Sequence, residues 1–317
     1  MTSMTRASAT DVLAEILGEA GLEVDGLRIV DRRASRLGGT FPAEIVTCRL
    51  ADGEELRLFC KLSGATARDD HGHRRGVHYE AQVYRALLAT LDLPTAVYYG
   101  ARIGGGRAMI VLGFVEDGEP VAKSLDAMAM PNAAEWAGRV AASTARSAAR
   151  RELGFMTRYD AAFYRGWVER AASFSTGLEQ RFRWLPPLCA RADDFISILR
   201  AAPQTVVHGE YYPANILAAG GRVYPVDWES AAFAPGEIDL AALTERWPDG
   251  VVAACEAAYV AARWPTGPPA GFRDVLAAAR LYLQFRWLGE HRDWTHDPAS
   301  RWRFELARSL GEELGLL

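Results

Sequence analysis

Lysine is nearly absent from the sequence. Of the 36 basic residues only Lys61 and Lys123 are lysines, and all the others are arginines. Abundant arginine and alanine are typical of a GC-rich genome and carry no information about function. The scarcity nevertheless draws attention to the two lysines, because arginine cannot replace lysine where a compact point charge is needed.

Cysteine is also sparse, with four residues that lie far apart in the chain. They form no C-x-x-C pair, which argues against a zinc ribbon and against a dithiol redox motif. Four such cysteines in 317 residues are typical of reduced, buried thiols, so we expect a cytoplasmic protein.

Neither an excess of charge nor a long apolar run is found. The formal net charge is −4 and no basic block occurs, so nucleic acid is not an expected partner. No run of 18 apolar residues is free of charge, and residues 1–22 carry four charged side chains without a signal-peptide-like hydrophobic stretch. Neither a membrane span nor a signal peptide is therefore predicted.

The residues that are present indicate a globular protein of two lobes. Half of them are hydrophobic and 24% are charged, and a length of 317 residues predicts two domains. Residues 1–118 predict a mainly antiparallel sheet with one inserted helix, whereas residues 119–317 follow a helical period apart from β-like runs within 205–227. The strands are predicted at 27–36, 43–50, 55–62, 96–102 and 107–115, with a hairpin turn at Asp52-Gly53, and the inserted helix at 77–90.

Three oxygen-bearing side chains follow short apolar runs in the second half of the chain. Glu210, Asn215 and Asp227 are spaced so that loops could bring them to one place. Taken singly, Asn215 and Asp227 are of residue types that usually form turns. As a set they indicate a site for Mg²⁺, which binds one or two carboxylates together with substrate phosphates.

A family resemblance follows from these segments. Residues 208–215 read His-Gly-Glu-Tyr-Tyr-Pro-Ala-Asn and residues 227–229 read Asp-Trp-Glu. They resemble the catalytic loop and metal-binding segment of the phosphotransferase enzyme family, the aminoglycoside phosphotransferase and choline kinase relatives of protein kinases. Residues 235–241 resemble the family's next motif, in which an aspartate, here Asp239, braces the catalytic loop. The resemblance implies a bilobal, protein-kinase-like α+β fold, with an antiparallel β N-lobe plus one helix (1–118) and a mainly helical C-lobe (119–317).

The resemblance also implies a nucleotide site in the N-terminal lobe. Lys61 ends the third predicted strand and Glu80 opens the following helix, where kinases have the lysine and glutamate that position the phosphates. Phe59 shares a strand face with Lys61 and is a candidate for stacking on adenine.

The other implied nucleotide contacts match less closely. Gly38 and Gly39 stand where the family has its glycine-rich loop, but they do not form a G-x-G-x-x-G motif. The backbone around Phe114 is the candidate hinge that faces adenine. Asn215 and Asp227 are the implied metal ligands, and ATP and Mg²⁺ are the implied cofactors.

One position departs from the family pattern. Glu210 stands where the family has the catalytic aspartate that accepts the proton of the substrate hydroxyl. An added methylene moves the carboxylate by about 1 Å, which can cost about 10²-fold where geometry is critical, yet phosphoryl transfer depends mostly on positioning and electrostatics. The interpretations are a working small-molecule kinase, a pseudokinase-like nucleotide-binding module with little or no transfer activity, or other chemistry on the same fold.

The acceptor is predicted to be a hydroxyl-bearing small molecule that is not strongly cationic. Polycationic aminoglycosides need an acidic pocket, whereas residues 251–317 contain eight basic and eight acidic side chains. A sugar, a nucleoside, an amino alcohol or a natural-product hydroxyl fits this balance. The candidate acceptor contacts are Tyr211, Tyr212, Glu229 and Trp294.

Three histidines also lie close together, at His71, His73 and His78, near two aspartates. Their spacing is not that of an H-E-x-x-H zinc site. We expect them to lie in a solvated polar loop.

Overall fold

The structure is a computed structural model that describes residues 6–35, 41–63, 71–105, 107–147 and 151–317. By its internal contacts the chain forms two compact units. The first contains Met1–Arg68, Arg74–Pro120 and Asn215–Ser230, and the second contains Asp69–His73, Val121–Ala214 and Ala231–Leu317. Each unit thus contains a segment from the other half of the chain. The lobes predicted from the sequence, 1–118 and 119–317, are continuous and contain no such segments.

The first unit is built on a five-stranded antiparallel sheet. Its strands are β1 (Arg28–Ala34), β2 (Ala43–Arg49), β3 (Glu55–Leu62), β4 (Tyr98–Gly104) and β5 (Arg107–Gly113), in the order β1-β2-β3-β5-β4. It also contains helices α1 (Arg6–Glu19) and α2 (Gly76–Ala86). The predicted turn at Asp52-Gly53 joins β2 to β3, and Gly53 adopts φ +90°, which glycine tolerates without steric cost. The antiparallel sheet predicted from the sequence is confirmed.

Strand β3 sends alternate side chains to opposite faces of this sheet. Leu58 and Cys60 are buried in an apolar cluster with Leu13 and Leu17 of α1. Lys61 belongs to the opposite face by the strand alternation. Because α1 covers the apolar face, a polar site can form on the face that carries Lys61.

A small sheet brings the late segment 215–230 into the first unit. Strands β6 (Glu119–Pro120), β9 (Ile216–Ala219) and β10 (Arg222–Pro225) pair in the order β10-β9-β6. Antiparallel pairing places Ile216 opposite Pro225. Asn215, which precedes β9, and Asp227, which follows β10, therefore lie at the same end of this hairpin.

The second unit is mainly helical, as the sequence predicts. Its helices are α3 (Ala129–Thr144), α4 (Ala161–Phe174), α5 (Leu185–Ala190), α6 (Ala192–Ala201), α7 (Glu237–Thr244), α8 (Asp249–Arg263), α9 (Phe272–Leu288), α10 (Arg292–His296) and α11 (Arg301–Glu313). A short sheet of β7 (Thr157–Arg158), β11 (Ala232–Pro235) and β8 (Gln204–Val207) lies among them in the order β7-β11-β8. Across the described ranges, no helix has the length and apolar character that crossing a membrane requires.

Two helices differ from the prediction that hydrophobic periodicity gives. The helix predicted at 77–90 ends at Ala86, and Leu88–Thr90 form a separate 3₁₀ turn. The sequence analysis did not predict α5, whose two prolines near its start are tolerated because first-turn N–H groups have no helical partner.

Helices α3 and α8 approach each other closely at a glycine. A Cβ atom on Gly138 would lie 2.6 Å from the carbonyl oxygen of Tyr259. A side chain at this position would therefore force the two helix backbones apart, which explains the glycine within an otherwise regular helix.

Candidate active site

Lys61 lies at the centre of a buried ion cluster in the first unit. Its ammonium nitrogen Nζ lies 2.7 Å from Oε2 of Glu80 and also contacts a carboxylate oxygen of Asp227. The side chains of Lys61 and Glu80 are buried, whereas 22% of the Asp227 side chain is exposed. The structure thus brings together the lysine of β3, the glutamate of α2 and the aspartate that follows β10.

The neighbouring carboxylates stabilise the positive charge of Lys61. Burial opposes this charge, but the carboxylates of Glu80, Asp227 and Glu229 outweigh burial and raise the pKa of Lys61 well above its ordinary value. The ammonium is therefore charged throughout the physiological pH range. The Lys61 ammonium is therefore a compact and fixed positive charge.

Glu80 also fixes the loop that carries Asp227. Its Oε1 accepts a hydrogen bond from the backbone N–H of Trp228 at 3.2 Å. The N–H of Val226 donates to the carbonyl of Asn215 at 2.9 Å, which joins the two ends of the hairpin. Asp227 adopts φ +70°, a left-handed conformation that costs a non-glycine residue about 1–3 kcal/mol and that is common at functional sites.

Asn215 and Asp227 fit a divalent cation by the chemistry of their side chains. They offer one amide oxygen and one carboxylate, and both residues are partly exposed. Mg²⁺ is usually bound by one or two carboxylates, with water and phosphate oxygens completing its shell. Within the described part of the chain, no group of three or more His, Cys, Asp or Glu residues is placed to hold a metal. The donors thus suit a cation that binds together with phosphates.

Phe59 and Phe114 are the two aromatic residues predicted to contact adenine. Phe59 is half-buried on β3, two residues before Lys61. Phe114 follows β5, and the guanidinium of Arg57 lies 4.3 Å from its ring centroid, so one face of the ring is covered. Gly38 and Gly39 lie outside the described residues. The contact of Phe59 and Phe114 with a nucleotide stays a prediction.

Glu229 lies inside the first unit. Its side chain is fully buried and lies 3.9 Å from the guanidinium of Arg74, and its carbonyl accepts the N–H of Arg75 at 2.9 Å. A fully buried carboxylate offers no exposed surface to an acceptor. The observed contacts therefore give Glu229 a role in holding the segment before α2.

Glu210 follows β8 in a braced loop of the second unit. The N–H groups of His208 and Gly209 donate to the two carboxylate oxygens of Asp239 at 2.7 and 3.1 Å. Asp239 lies in the first turn of α7, where negative charge is favoured. Burial raises the pKa of Asp239 to about 7, although the two N–H donors oppose the increase. One carboxylate thus fixes the backbone just before Glu210.

The Glu210 carboxylate is bound by an arginine of α9. Arg286 is fully buried, and its Nη2 lies 2.5 Å from Oε1 of Glu210. Its Nη1 donates to the hydroxyl of Tyr212 at 3.1 Å, and its Nε donates to Nε2 of His73 at 3.2 Å. Glu290 lies 3.7 Å from the same guanidinium. The predicted base is therefore part of a buried polar cluster.

The predicted acceptor contacts differ in exposure. Tyr211 is fully buried, and its hydroxyl donates to the carbonyl of Ala133 at 2.8 Å, so its side chain lies in the core. Tyr212 is partly exposed, and its ring centroid lies 5.6 Å from that of Trp287. Trp294 is 48% exposed and lies 6.0 Å from Trp287. Of these residues, Tyr212 and Trp294 have surface that a ligand could touch.

A comparison with known protein families identifies the family of this chain. The profile of the phosphotransferase enzyme family matches residues 47–293, most of the chain. The chain belongs to this family. The predicted resemblance is confirmed, and the match includes the Lys61 cluster and the loop of Glu210. A search of curated proteins found no match to this phosphotransferase.

Solved structures confirm the protein-kinase-like fold of this phosphotransferase. A macrolide 2′-phosphotransferase from Brachybacterium faecium is 20% identical, with a TM-score of 0.55, 95% of this chain covered and 98% of that one. A choline/ethanolamine kinase family protein from Mesorhizobium loti is 15% identical, with a TM-score of 0.59 and coverage of 99% and 97%. A spectinomycin phosphotransferase in complex with ADP and spectinomycin is 11% identical, with a TM-score of 0.58 and coverage of 96% and 98%.

The sequence analysis of this phosphotransferase missed two residues of the Glu210 cluster. Arg286 lies four residues after Tyr282 and so shares a helix face with it, and an arginine on such a buried aromatic face indicates a polar partner. His73 was expected in a solvated loop. That expectation is wrong, because its side chain is fully buried between Arg286 and Tyr159.

Proposed function

We propose that this phosphotransferase transfers the γ-phosphoryl group of ATP to a hydroxyl group of a small molecule. The observation that carries the proposal is the buried ammonium of Lys61, held between Glu80 and the partly exposed Asp227. Kinases use a lysine and a glutamate in this way to position nucleotide phosphates. The ADP complex of the similar spectinomycin phosphotransferase supports the use of a nucleotide.

On the nucleotide side, each residue of the cluster has a separate task. Lys61 binds phosphate oxygens, and Glu80 holds Lys61 and the loop of Asp227. Asn215 and Asp227 would hold Mg²⁺, which neutralises phosphate charge when bound. Phe59 and the backbone at Phe114 would contact adenine.

On the acceptor side, Glu210 orients the hydroxyl and accepts its proton as the bond to phosphorus forms. The charges around it support an acceptor that is not strongly cationic. Glu210 is paired with Arg286, and Glu245 lies 2.9 Å from Arg303. Arg286 and Arg303 thus offset part of the negative charge of Glu210, Glu290 and Glu245, and residues 251–317 carry equal numbers of basic and acidic side chains, which does not favour a polycation. A sugar, a nucleoside, an amino alcohol or a natural-product hydroxyl remains the proposed class.

Nucleotide binding is tested by thermal unfolding of the whole chain with ATP and Mg²⁺. Ligand at a hundred times its Kd stabilises a protein by about 2.7 kcal/mol, so we expect a rise of about 3–6 °C in Tm. The Asp227→Ala variant should show no such rise. An unchanged Tm of the wild-type protein at millimolar ATP would contradict nucleotide binding.

Transfer is tested by ADP release in a panel of neutral and cationic hydroxyl compounds. We expect turnover with a neutral or singly charged acceptor, and loss of about 10²-fold or more in Glu210→Gln because general-base catalysis contributes 10²–10⁴-fold. Efficient turnover of kanamycin-like polycations would contradict the acceptor class. Turnover that is unchanged in Glu210→Gln would remove Glu210 from its proposed role.

A second candidate function is nucleotide binding without transfer. The ion pair of Glu210 with a fully buried arginine favours it, because a positive neighbour makes a carboxylate a weaker base. This function predicts the ATP-induced rise in Tm together with no ADP release above the blank for any acceptor in the panel.

A further inference from the structure

The guanidinium of Arg286 is fixed in its plane by three different partners. Nη2 binds Glu210 at 2.5 Å, Nη1 binds the hydroxyl of Tyr212 at 3.1 Å, and Nε binds His73 at 3.2 Å. The arginine side chain has no exposed surface, and that of Glu210 is only 7% exposed. Because all three guanidinium nitrogens are engaged in one plane, the group can neither rotate nor shift without breaking a contact.

The hydrogen-bond pattern also assigns the tautomer of His73. Its Nε2 accepts the N–H of Arg286 and so carries no hydrogen of its own. Nδ1 must then carry the hydrogen, and it lies 3.2 Å from the hydroxyl of Tyr159, which can accept it. A neutral His73 supports Arg286 without adding a second positive charge beside it.

This cluster holds the longer side chain at position 210 in one orientation. A glutamate has one more rotatable bond than an aspartate, and its carboxylate reaches about 1 Å further from the backbone. The loop backbone cannot fix that extra bond, although Asp239 fixes the loop itself. The contact with Arg286 does fix it, since the guanidinium binds the carboxylate directly.

We propose that Arg286, held by His73 and Tyr212, is a positioning residue that orients the Glu210 carboxylate for the acceptor hydroxyl. Glutamate and arginine together thus take the place of a shorter carboxylate. The inference rests on the proposed function. In the reaction the acceptor oxygen forms a bond to the γ-phosphorus, and the bond to the bridging oxygen breaks, its electron pair leaving with ADP. The hydroxyl proton passes to Glu210 and then to solvent, and Arg286 exchanges no proton.

The test uses the full chain with ATP and Mg²⁺, and with water as the acceptor, so that no acceptor has to be known. Steady-state ADP release is measured against ATP concentration and pH for the wild type, Arg286→Met, Arg286→Lys and Tyr212→Phe. The matched control is Arg263→Met, since Arg263 is an equally buried arginine that pairs with Glu237 at 2.8 Å, away from Glu210 in sequence and in contacts. Tm is measured for every variant.

We expect Arg286→Met to lower kcat by about 10²-fold, the cost of misplacing a reacting group by about 1 Å, with the KM for ATP within about twofold. The acid limb of its kcat–pH profile should move to higher pH, because loss of the positive charge favours protonated Glu210. The other groups facing this site, His73, Tyr212, Tyr282 and Glu290, are kept in this variant. Arg286→Lys should keep the acid limb but lose about tenfold in kcat, and Tyr212→Phe should lose a few-fold.

A second comparison uses the length of the carboxylate side chain. Glu210→Asp should be slower than the wild type, because the shorter side chain withdraws from Arg286. In the Arg286→Met background the same change should cost much less, since the contact it breaks is already absent. If Arg286→Met does not fold, the same measurements are made on Arg286→Lys and Tyr212→Phe, each with and without Glu210→Asp.

Three results would overturn the inference. One is a kcat of the Arg286 variants that falls no further than in Arg263→Met at equal Tm, with an unmoved acid limb. Another is a Glu210→Asp variant as fast as the wild type. The third is a wild-type protein that ATP stabilises but that releases no ADP with water or with any acceptor of the panel, which makes the cluster purely structural. Absence of ATP stabilisation would instead contradict the proposed function itself.

Discussion

At the scale of single residues, the two lysines have opposite environments. Lys61 is buried between two carboxylates, whereas Lys123 is exposed. The sequence alone predicted that Lys61 and Glu80 lie together, because lysine is rare here and because the strand of Lys61 precedes a helix with Glu80. It did not predict Arg286, because arginine is so common in this chain that one more carries no weight.

Substitution of Lys61 should remove nucleotide-dependent behaviour. We expect both Lys61→Met and Lys61→Arg to lose the ATP-induced rise in Tm and to lower ADP release by about 10²-fold or more, because even arginine's planar fork cannot take the place of a compact ammonium. Lys123→Arg is the matched control and should behave as the wild type. A Lys61→Arg variant with wild-type ATP affinity would show that positive charge alone is sufficient.

At the scale of elements, α7 and the loop after β8 are linked by Asp239. The family resemblance predicted this brace, and its geometry agrees with that prediction, although Asp239 lies 31 and 30 residues after the two backbone N–H groups that it binds. The neighbouring cluster of Glu210 joins residues 73, 212 and 286. Residues 73 and 286 lie far from residues 210 and 212 in the chain, and no local pattern relates them.

The brace gives a prediction about pH. The pKa of Asp239 is raised to about 7, so between about pH 4 and 7 the folded chain keeps a proton that the unfolded chain has lost. The contribution of Asp239 to the free energy of unfolding therefore falls as pH rises through this window and is constant above it. Urea unfolding at several pH values should show this decrease in the wild type, and it should be absent in Asp239→Asn.

Asp239→Asn should also be less stable overall. The amide group turns a donor toward one of the two backbone N–H groups, so we expect a loss of about 1–3 kcal/mol for an unsatisfied buried donor. Equal stability of the variant at about pH 7.5, where the aspartate is ionised, would contradict the two hydrogen bonds that define the brace.

A second prediction at this scale concerns the contact of α3 with α8. Gly138→Ala places a methyl group against the carbonyl of Tyr259, and such overpacking typically costs about 1–3 kcal/mol. The urea midpoint should fall while the slope of the transition stays the same. Gly250→Ala is the control, since nothing lies near its added Cβ, and α8 should tolerate it. A stable Gly138→Ala variant would mean that the helices can separate at little cost.

At the scale of the whole molecule, the sequence predicted two lobes but not the exchange of segments between them. Hydrophobic periodicity identifies strands and helices one at a time, and β9 and β10 are too short to reveal their partner. The pairing of β9 with β6 depends on residues about 100 positions earlier, which are adjacent only after folding. The grouping of residues 61, 80 and 227 was predicted through motif order, which is independent of that pairing.

The grouping of these residues in one unit predicts where a nucleotide protects the backbone. In hydrogen–deuterium exchange with ATP and Mg²⁺, we expect the slowest exchange relative to the free protein in β3, α2 and 215–230. Asp227→Asn should reduce this protection in all three segments together. Protection confined to other parts of the chain would place the nucleotide elsewhere.

The late entry of 215–230 into the first unit has a consequence for synthesis on the ribosome. Residues 6–120 are translated before 215–230, so β6 at first lacks its neighbour β9. Of the two described carboxylates that contact the ammonium of Lys61, Glu80 is then present and Asp227 is not. At about 5–20 residues per second, the missing strands follow roughly 5–20 s later. The nascent first unit therefore stays incomplete until about half of the second unit's sequence has been translated.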